Sequence, residues 1–257
     1  MAIDLPNTSW RPSALPIYIG WDAKESTMFN MCVYSIRKYA SIPVEIYKLD
    51  RRRLQALQIY KREEVPGQQA TEFAYSRFLV PYLQHFQGHA LIMDCDMLLT
   101  ADILELFRFA DDERAVQVVK HPEYIPKLSV KMDGVAQPAY PRKNWSSVML
   151  FNCGHSSNRG LIPIFIDSQS GSYLHRFSWL QDQEIGELPP TWNYLCDEGW
   201  NWQEAPSLIH YTNGHRELGP DVWNQNFEWS AFYDNIREEA RHCVSLKECE
   251  SKEIDNQ

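Results

Sequence analysis

Asp94 and Asp96 stand one residue apart in ALIMDCDMLLT, directly after four apolar residues. Residues i and i+2 of a strand share a face. At a strand's carboxyl end that face opens onto the crevice where α/β sheets bind ligands. Two carboxylates there can hold one hard divalent cation, Mg²⁺ or Mn²⁺, and leave positions for substrate phosphates. Such a cation stabilises negative charge developing on a phosphate leaving group. His210 closes a second short apolar run, SLIHY, and neutral imidazole is a common ligand for manganese-like ions. Asn213-Gly214 marks a tight turn whose backbone N–H groups can face a phosphate. Each feature alone has a plainer reading: two solvated aspartates at a turn, one hydrogen-bonded structural histidine. The apolar run before Asp94 favours a site, because desolvating an unpartnered carboxylate is costly.

These residues need elements to place them. LPIYIGWD reads as a strand, STMFNMCVYSIRKYA as a helix with Phe29, Cys32, Val33 and Ile36 on one face, and PVEIYKLD as a second strand. Strand, helix, strand opens an α/β sheet. TEFAYSRFLVPYLQHF has Tyr75, Phe78, Leu79, Tyr82, Leu83 and Phe86 at helical spacing with Thr71 as N-cap, and Pro81 predicts a kink or break. HALIMDCD reads as a strand buried on both faces. AVQVV, SSVMLFN and SLIHY are further strands, and a helix is expected from Phe227 to about Arg241. The expectation is a single α/β domain over 16–242, after an extension over 1–15 and before a polar tail over 243–257, frayed after Cys249.

Composition narrows the function. Among 257 residues, 44% are hydrophobic and the net charge is −9, so this is a folded globule with no bulk attraction for nucleic acid. The six cysteines form no CxxC pair, and their scatter predicts reduced thiols. The first residues show no basic start before an apolar core, and no apolar run reaches membrane-spanning length. A cytoplasmic protein is expected, with peripheral membrane contact left open.

Six stretches, in order, resemble glycosyltransferase family 8, the retaining nucleotide-sugar transferases of GT-A fold. They are IYIGWDAKESTMFNMCVYSIRKY, TEFAYSRFLVPYL, LIMDCDMLL, NWSSVMLFN, QDQEIGELPPTWNYL and HYTNGHRELGPDVW, together spanning about Ile17 to Trp223. The resemblance implies a Rossmann-like mixed sheet with flanking helices. It implies that Asp94, Asp96 and His210 ligate Mn²⁺ (or Mg²⁺), which bridges the diphosphate of a nucleotide sugar, a UDP-sugar. It places Asp22 at the base or ribose, Arg77 near the diphosphate or sugar, Gly214 near the diphosphate, and Asp182 and Gln183 beside the sugar. The acceptor is a hydroxyl of a glycan, lipid or small molecule.

The chain also departs from the family. Asn-Ser-Gly becomes Trp145-Ser146-Ser147, and the lysine that clamps the leaving diphosphate is absent. Counted from His210 its place falls on Arg216, which can hold phosphate with different geometry; counted from Gly214 it falls on Glu217, which cannot; His215 is a second candidate, and the motif's proline and tryptophan are spread out as Pro220 and Trp223. The tryptophans Trp192, Trp200 and Trp202 read equally as sugar platforms or core anchors. Two other readings stand beside the transferase. One is a non-catalytic nucleotide-sugar-binding module. The other is a haloacid-dehalogenase-like phosphatase with Asp94 as nucleophile, although that motif usually opens its domain.

Overall fold

The computed structural model describes residues 3–63, 71–122, 142–196, 204–212, 214–216, 229–245 and 251–255. The first strand, β1 (Leu15–Gly20), is wholly buried, as a run without polar alternation demands. Asp22 then caps a single 3₁₀ turn: its Oδ1 accepts from Lys24 N–H at 3.0 Å. Helix α1 (Ser26–Tyr39) follows and buries Phe29, Cys32, Val33 and Ile36, the face its spacing predicts. β2 (Val44–Leu49) and α2 (Arg51–Ala56) come next.

The single helix expected from Thr71 to Phe86 is not formed. Turns lead into a 3₁₀ segment, Ser76–Leu79, and then the short α3 (Val80–Leu83). Pro81 sits in the first turn of α3, where its missing N–H costs nothing; inside a continuous helix its ring would clash with the carbonyl four residues back. The break sends Arg77 into the interior.

Strands β3 (His89–Met93) and β4 (Met97–Leu99) flank the Asp-Cys-Asp connection. Then come α4 (Ile103–Phe107), β5 (Val116–Val118), β6 (Val148–Asn152), α5 (Pro163–Ser168), α6 (Gly171–His175), β7 (Ile185–Glu187), β8 (Tyr194–Leu195), β9 (Leu208–His210) and α7 (Ser230–Ser245).

The main sheet has the order β2-β1-β3-β6-β5-β7. β1 pairs parallel with β2 and β3, and β7 parallel with β5; β6 runs antiparallel to β3 and β5. α1 covers one face, against Ile17, Ile19, Leu91 and Met93. Leu54, Phe78 and Leu79 cover the other, against Tyr18, Ala90, Ile92 and Met149. The fold is thus one mixed α/β domain. A smaller sheet, β4-β9-β8, adjoins it.

Two expectations are corrected. Residues 251–255 are docked, not frayed: Lys252 N–H donates to Ile46 O at 2.7 Å and its carbonyl accepts from Lys48 N–H at 3.0 Å. Unused β2 edge groups and a buried Ile254 outweigh the segment's polarity. Cys243 is disulfide-bonded, whereas Cys32, Cys95, Cys153 and Cys196 are free and buried.

Candidate active site

Strand directions assemble the site. β1 and β3 are parallel, so Gly20 and Met93 end at the same edge of the sheet. β6 runs the other way, which brings Ser146 and Ser147 to that edge, and Asp94 N–H donates to Ser147 O at 3.0 Å. The chain leaves β3 through Asp94, Cys95 and Asp96 and enters β4 in the second sheet. There Met97 pairs with His210, and Tyr211 N–H donates to Asp96 O at 3.0 Å. The two aspartates therefore lie in a connector between sheets, not on the strand itself.

One ligand atom each from Asp94, Asp96 and His210 lies within 4.8 Å of the others. Oδ1 of Asp94 and Oδ1 of Asp96 are both buried, and the first has Arg77 Nη1 at 2.7 Å. His210 Nε2 is 3.3 Å from Asp96 Oδ1, and its Nδ1 is 2.9 Å from Asn193 Oδ1. The Asn193 amide is assigned by its neighbours: Nδ2 donates to Asn144 O at 3.2 Å and to Ser147 Oγ at 2.9 Å. Its Oδ1 must then accept from His210 Nδ1–H, which turns the Nε2 lone pair toward Asp96. A lone pair facing a carboxylate repels it unless a proton or a cation lies between them. Two buried carboxylates converging with an oriented imidazole suit Mn²⁺ or Mg²⁺.

Electrostatics agree. Burial raises the Asp94 carboxyl to about 6; Arg77 opposes the rise and Asp96 adds to it. For Asp96 burial also acts upward, but His210 outweighs it and the group ends below its ordinary value. Burial disfavours protonated His210, yet Asp96 and Asp94 raise its basicity overall.

Arg77 joins this centre to the rest of the cleft. It is 5% exposed, its Nη1 is 2.7 Å from Asp94 Oδ1, and it donates to Ser146 O at 2.8 Å. Its guanidinium lies 4.9 Å from the Phe73 ring centre. Phe73 in turn fills the space a side chain at Gly20 would need, since a Cβ there would come 2.2 Å from the ring. The cleft has a volume of about 750 Å³; Glu25, Tyr75, Arg77, Ser146, His175 and Thr212 line it with the three ligand residues.

Other expected site residues stand elsewhere. Both Asp22 oxygens accept backbone N–H groups, from Lys24 at 3.0 Å and Glu72 at 3.3 Å. Asp182 is exposed and pairs with Arg142 Nη2 at 2.6 Å; Arg142 itself lines the cleft. Gln183 is exposed, and its carbonyl accepts from Arg114. Arg216 is exposed and pairs with Asp234 at 2.6 Å. Gly214, at φ 107°, gives its N–H to Tyr211 O at 3.0 Å. His215 is buried, with Nε2 3.5 Å from Glu25 Oε1. Trp192 is a core residue, whereas Trp200, Trp202, Asn213, Glu217, Pro220 and Trp223 lie outside the described residues.

Sequence reasoning missed Glu25, Asn193 and His175. Asn193 sat in a recognised stretch, LPPTWNYL, without a role. Nothing local marks His175; only the fold brings it to Ser146.

No family model matches the chain. Among solved structures, it superposes on the bifunctional glycosyltransferase WbbM with TM-score 0.56 at 17% identity, covering 93% of this chain and 53% of that one. For the glycosyltransferase GlyE of Streptococcus pneumoniae TIGR4 the values are 0.54 and 14%, over 91% of this chain and 64% of that one. The chain thus spans about half of the WbbM structure and just under two thirds of the GlyE one. The galactosyltransferase LgtC, in complex with donor and acceptor sugar analogues, gives 0.52 at 10%, over 88% and 96% of the two chains. The shared fold is the GT-A fold. Protein CDI of Arabidopsis thaliana is 43% identical over 242 residues, 91% of this chain and 90% of that protein. The chain belongs to the family of Protein CDI, built on a GT-A-type α/β domain.

Proposed function

We propose that the chain is a retaining glycosyltransferase of family-8 type, which moves a hexose from a nucleoside diphosphate sugar, a UDP-sugar, to an acceptor hydroxyl. The observation that carries this reading is the convergence of Asp94, Asp96 and His210, with buried carboxylates and an Asn193-oriented imidazole, beside a cleft of about 750 Å³ at the carboxyl edge of the sheet. These three residues hold Mn²⁺ or Mg²⁺. The cation supplies charge for the diphosphate leaving group. Arg77 holds Asp94 in place and adds positive charge beside it. The acceptor is a glycan, lipid or small-molecule hydroxyl. No described helix is long and apolar enough to cross a membrane; action in the cytoplasm, with peripheral membrane contact, belongs to the proposal.

Arg216, tied to Asp234, is the observation that favours the alternative, a nucleotide-sugar-binding module without turnover. The phosphatase alternative has less support, because Arg77 covers the carboxylate that would have to attack. Calorimetry with UDP and with GDP, with and without Mn²⁺, tests the site. Binding that needs Mn²⁺ and is lost in Asp96→Ala supports it; metal-independent binding, or binding unchanged in the variant, overturns it.

A further inference from the structure

The cleft holds a pair of side chains that metal and diphosphate leave unused. Ser146 Oγ lies 2.7 Å from His175 Nδ1, and both residues line the cleft. Ser146 also binds Arg77 through its carbonyl, and Arg77 touches Asp94. The pair is thus one residue removed from the carboxylates proposed to hold the cation, within reach of a sugar joined to a diphosphate bound there. His175 is held edge-on by Phe78, with ring centres 5.2 Å apart at 79°. His175 lines the cleft, and the side-chain hydrogen bond it makes there is at Nδ1, not Nε2.

We infer that Ser146 and His175 read two neighbouring hydroxyls of the transferred sugar, so that the donor is a hexose with a free diol there. This rests on the transferase reading and names what its sugar must carry. The chemistry holds in either tautomer. If Ser146 donates to Nδ1, the pair offers the cleft an Nε2–H donor and an Oγ acceptor. If Nδ1–H donates to Oγ, it offers an Oγ–H donor and an Nε2 acceptor. Each case presents one donor and one acceptor, the complement of a diol. Burial, and then the nearby Arg77, lower His175 to about 3, so the ring stays neutral at physiological pH. The pair does not act as a nucleophile, because a glycosyl-serine would be a stable acetal that blocks turnover.

The test is calorimetry on the Mn²⁺-loaded protein with UDP, with UDP-hexoses and with their 2-, 3- and 4-deoxy analogues. The wild type should lose about tenfold in affinity for one deoxy analogue, the scale of one or two neutral hydrogen bonds. His175→Phe should bind hexose and deoxy analogue alike, at the weaker level, with its UDP affinity unchanged. His175→Gln can accept from Ser146 and donate to the cleft together, and should restore the discrimination. Equal binding of hexose and deoxy analogues by the wild type overturns the inference. So does a His175→Phe variant that loses UDP and UDP-hexose in equal proportion, which marks a structural role. Failure of the wild type to bind UDP, GDP or their sugars overturns the transferase reading itself, a result separable from the other two.

Discussion

Without its cation the site is under electrostatic strain, and Asp94→Asn should relieve it. Asp94 is 16% exposed, and its carboxyl rises from 3.8 to about 6. A rise of roughly two units puts the penalty of the ionised form near 3 kcal/mol. The neutral amide escapes that penalty but leaves Arg77 with a weaker partner. The net gain for metal-free protein at pH 7.5 is about 2 kcal/mol, or about 4–8 °C in melting temperature at this size. The folded-state value lies above the unfolded one, so the folded chain binds the extra proton between about pH 4 and 6. Wild-type metal-free stability from this group therefore rises as pH falls through that window, the reverse of ordinary acid denaturation. Mn²⁺ should raise the wild-type melting temperature at pH 7.5 and do little for the variant. Its affinity should weaken as pH falls, since the metal must displace a proton from His210, whose basicity is raised, and below about pH 6 a proton from Asp94 as well. Calorimetric melts in EDTA and in Mn²⁺, from pH 5 to 8, read all of this. A variant less stable than wild type in EDTA, or one with an unchanged response to Mn²⁺, would refute the reasoning.

Asn193→Ala should weaken Mn²⁺ binding about 10- to 100-fold, because His210 loses the acceptor that fixes its tautomer; titration of free Mn²⁺ by electron paramagnetic resonance reads this. Gly20→Ala forces a methyl against the buried Phe73 ring and should cost about 1–3 kcal/mol. It should also weaken UDP binding, since Phe73 lies under Arg77; a melt and a UDP titration check both. Deleting residues 251–257 removes two backbone hydrogen bonds to β2 and frees that edge. The melting temperature should drop by a few degrees, and light scattering should show concentration-dependent association.

The main strands and the convergence of Asp94, Asp96 and His210 were legible in the sequence because each rests on local chemistry. A buried strand must be apolar, and a buried aspartate needs a cation, a donor or a raised pKa, so ALIMDCD points to a strand ending in a special environment. Helix α1 was equally plain from its spacing. The break at Pro81 was foreseen as a possibility, but its consequence, Arg77 turned inward onto Asp94, depends on packing against Phe73. Long-range partners were hidden. Asn193 meets His210 across 17 positions, and Ser146 meets His175 across 29. Arg216 was placed by counting from His210, and counting carries no information about Asp234, which holds it from α7. The docked tail shows the same limit, since a polar segment can still satisfy a sheet edge through its backbone.

The central claim is turnover of a nucleotide sugar by a cation held on Asp94, Asp96 and His210. The most direct measurement is release of free nucleoside diphosphate from a panel of UDP- and GDP-sugars with Mn²⁺, with chelator and with Asp96→Ala alongside. The account predicts release from at least one donor that needs Mn²⁺ and disappears in both controls. Release that persists in chelator or in Asp96→Ala, or no release from any donor while the protein still binds one, would contradict it.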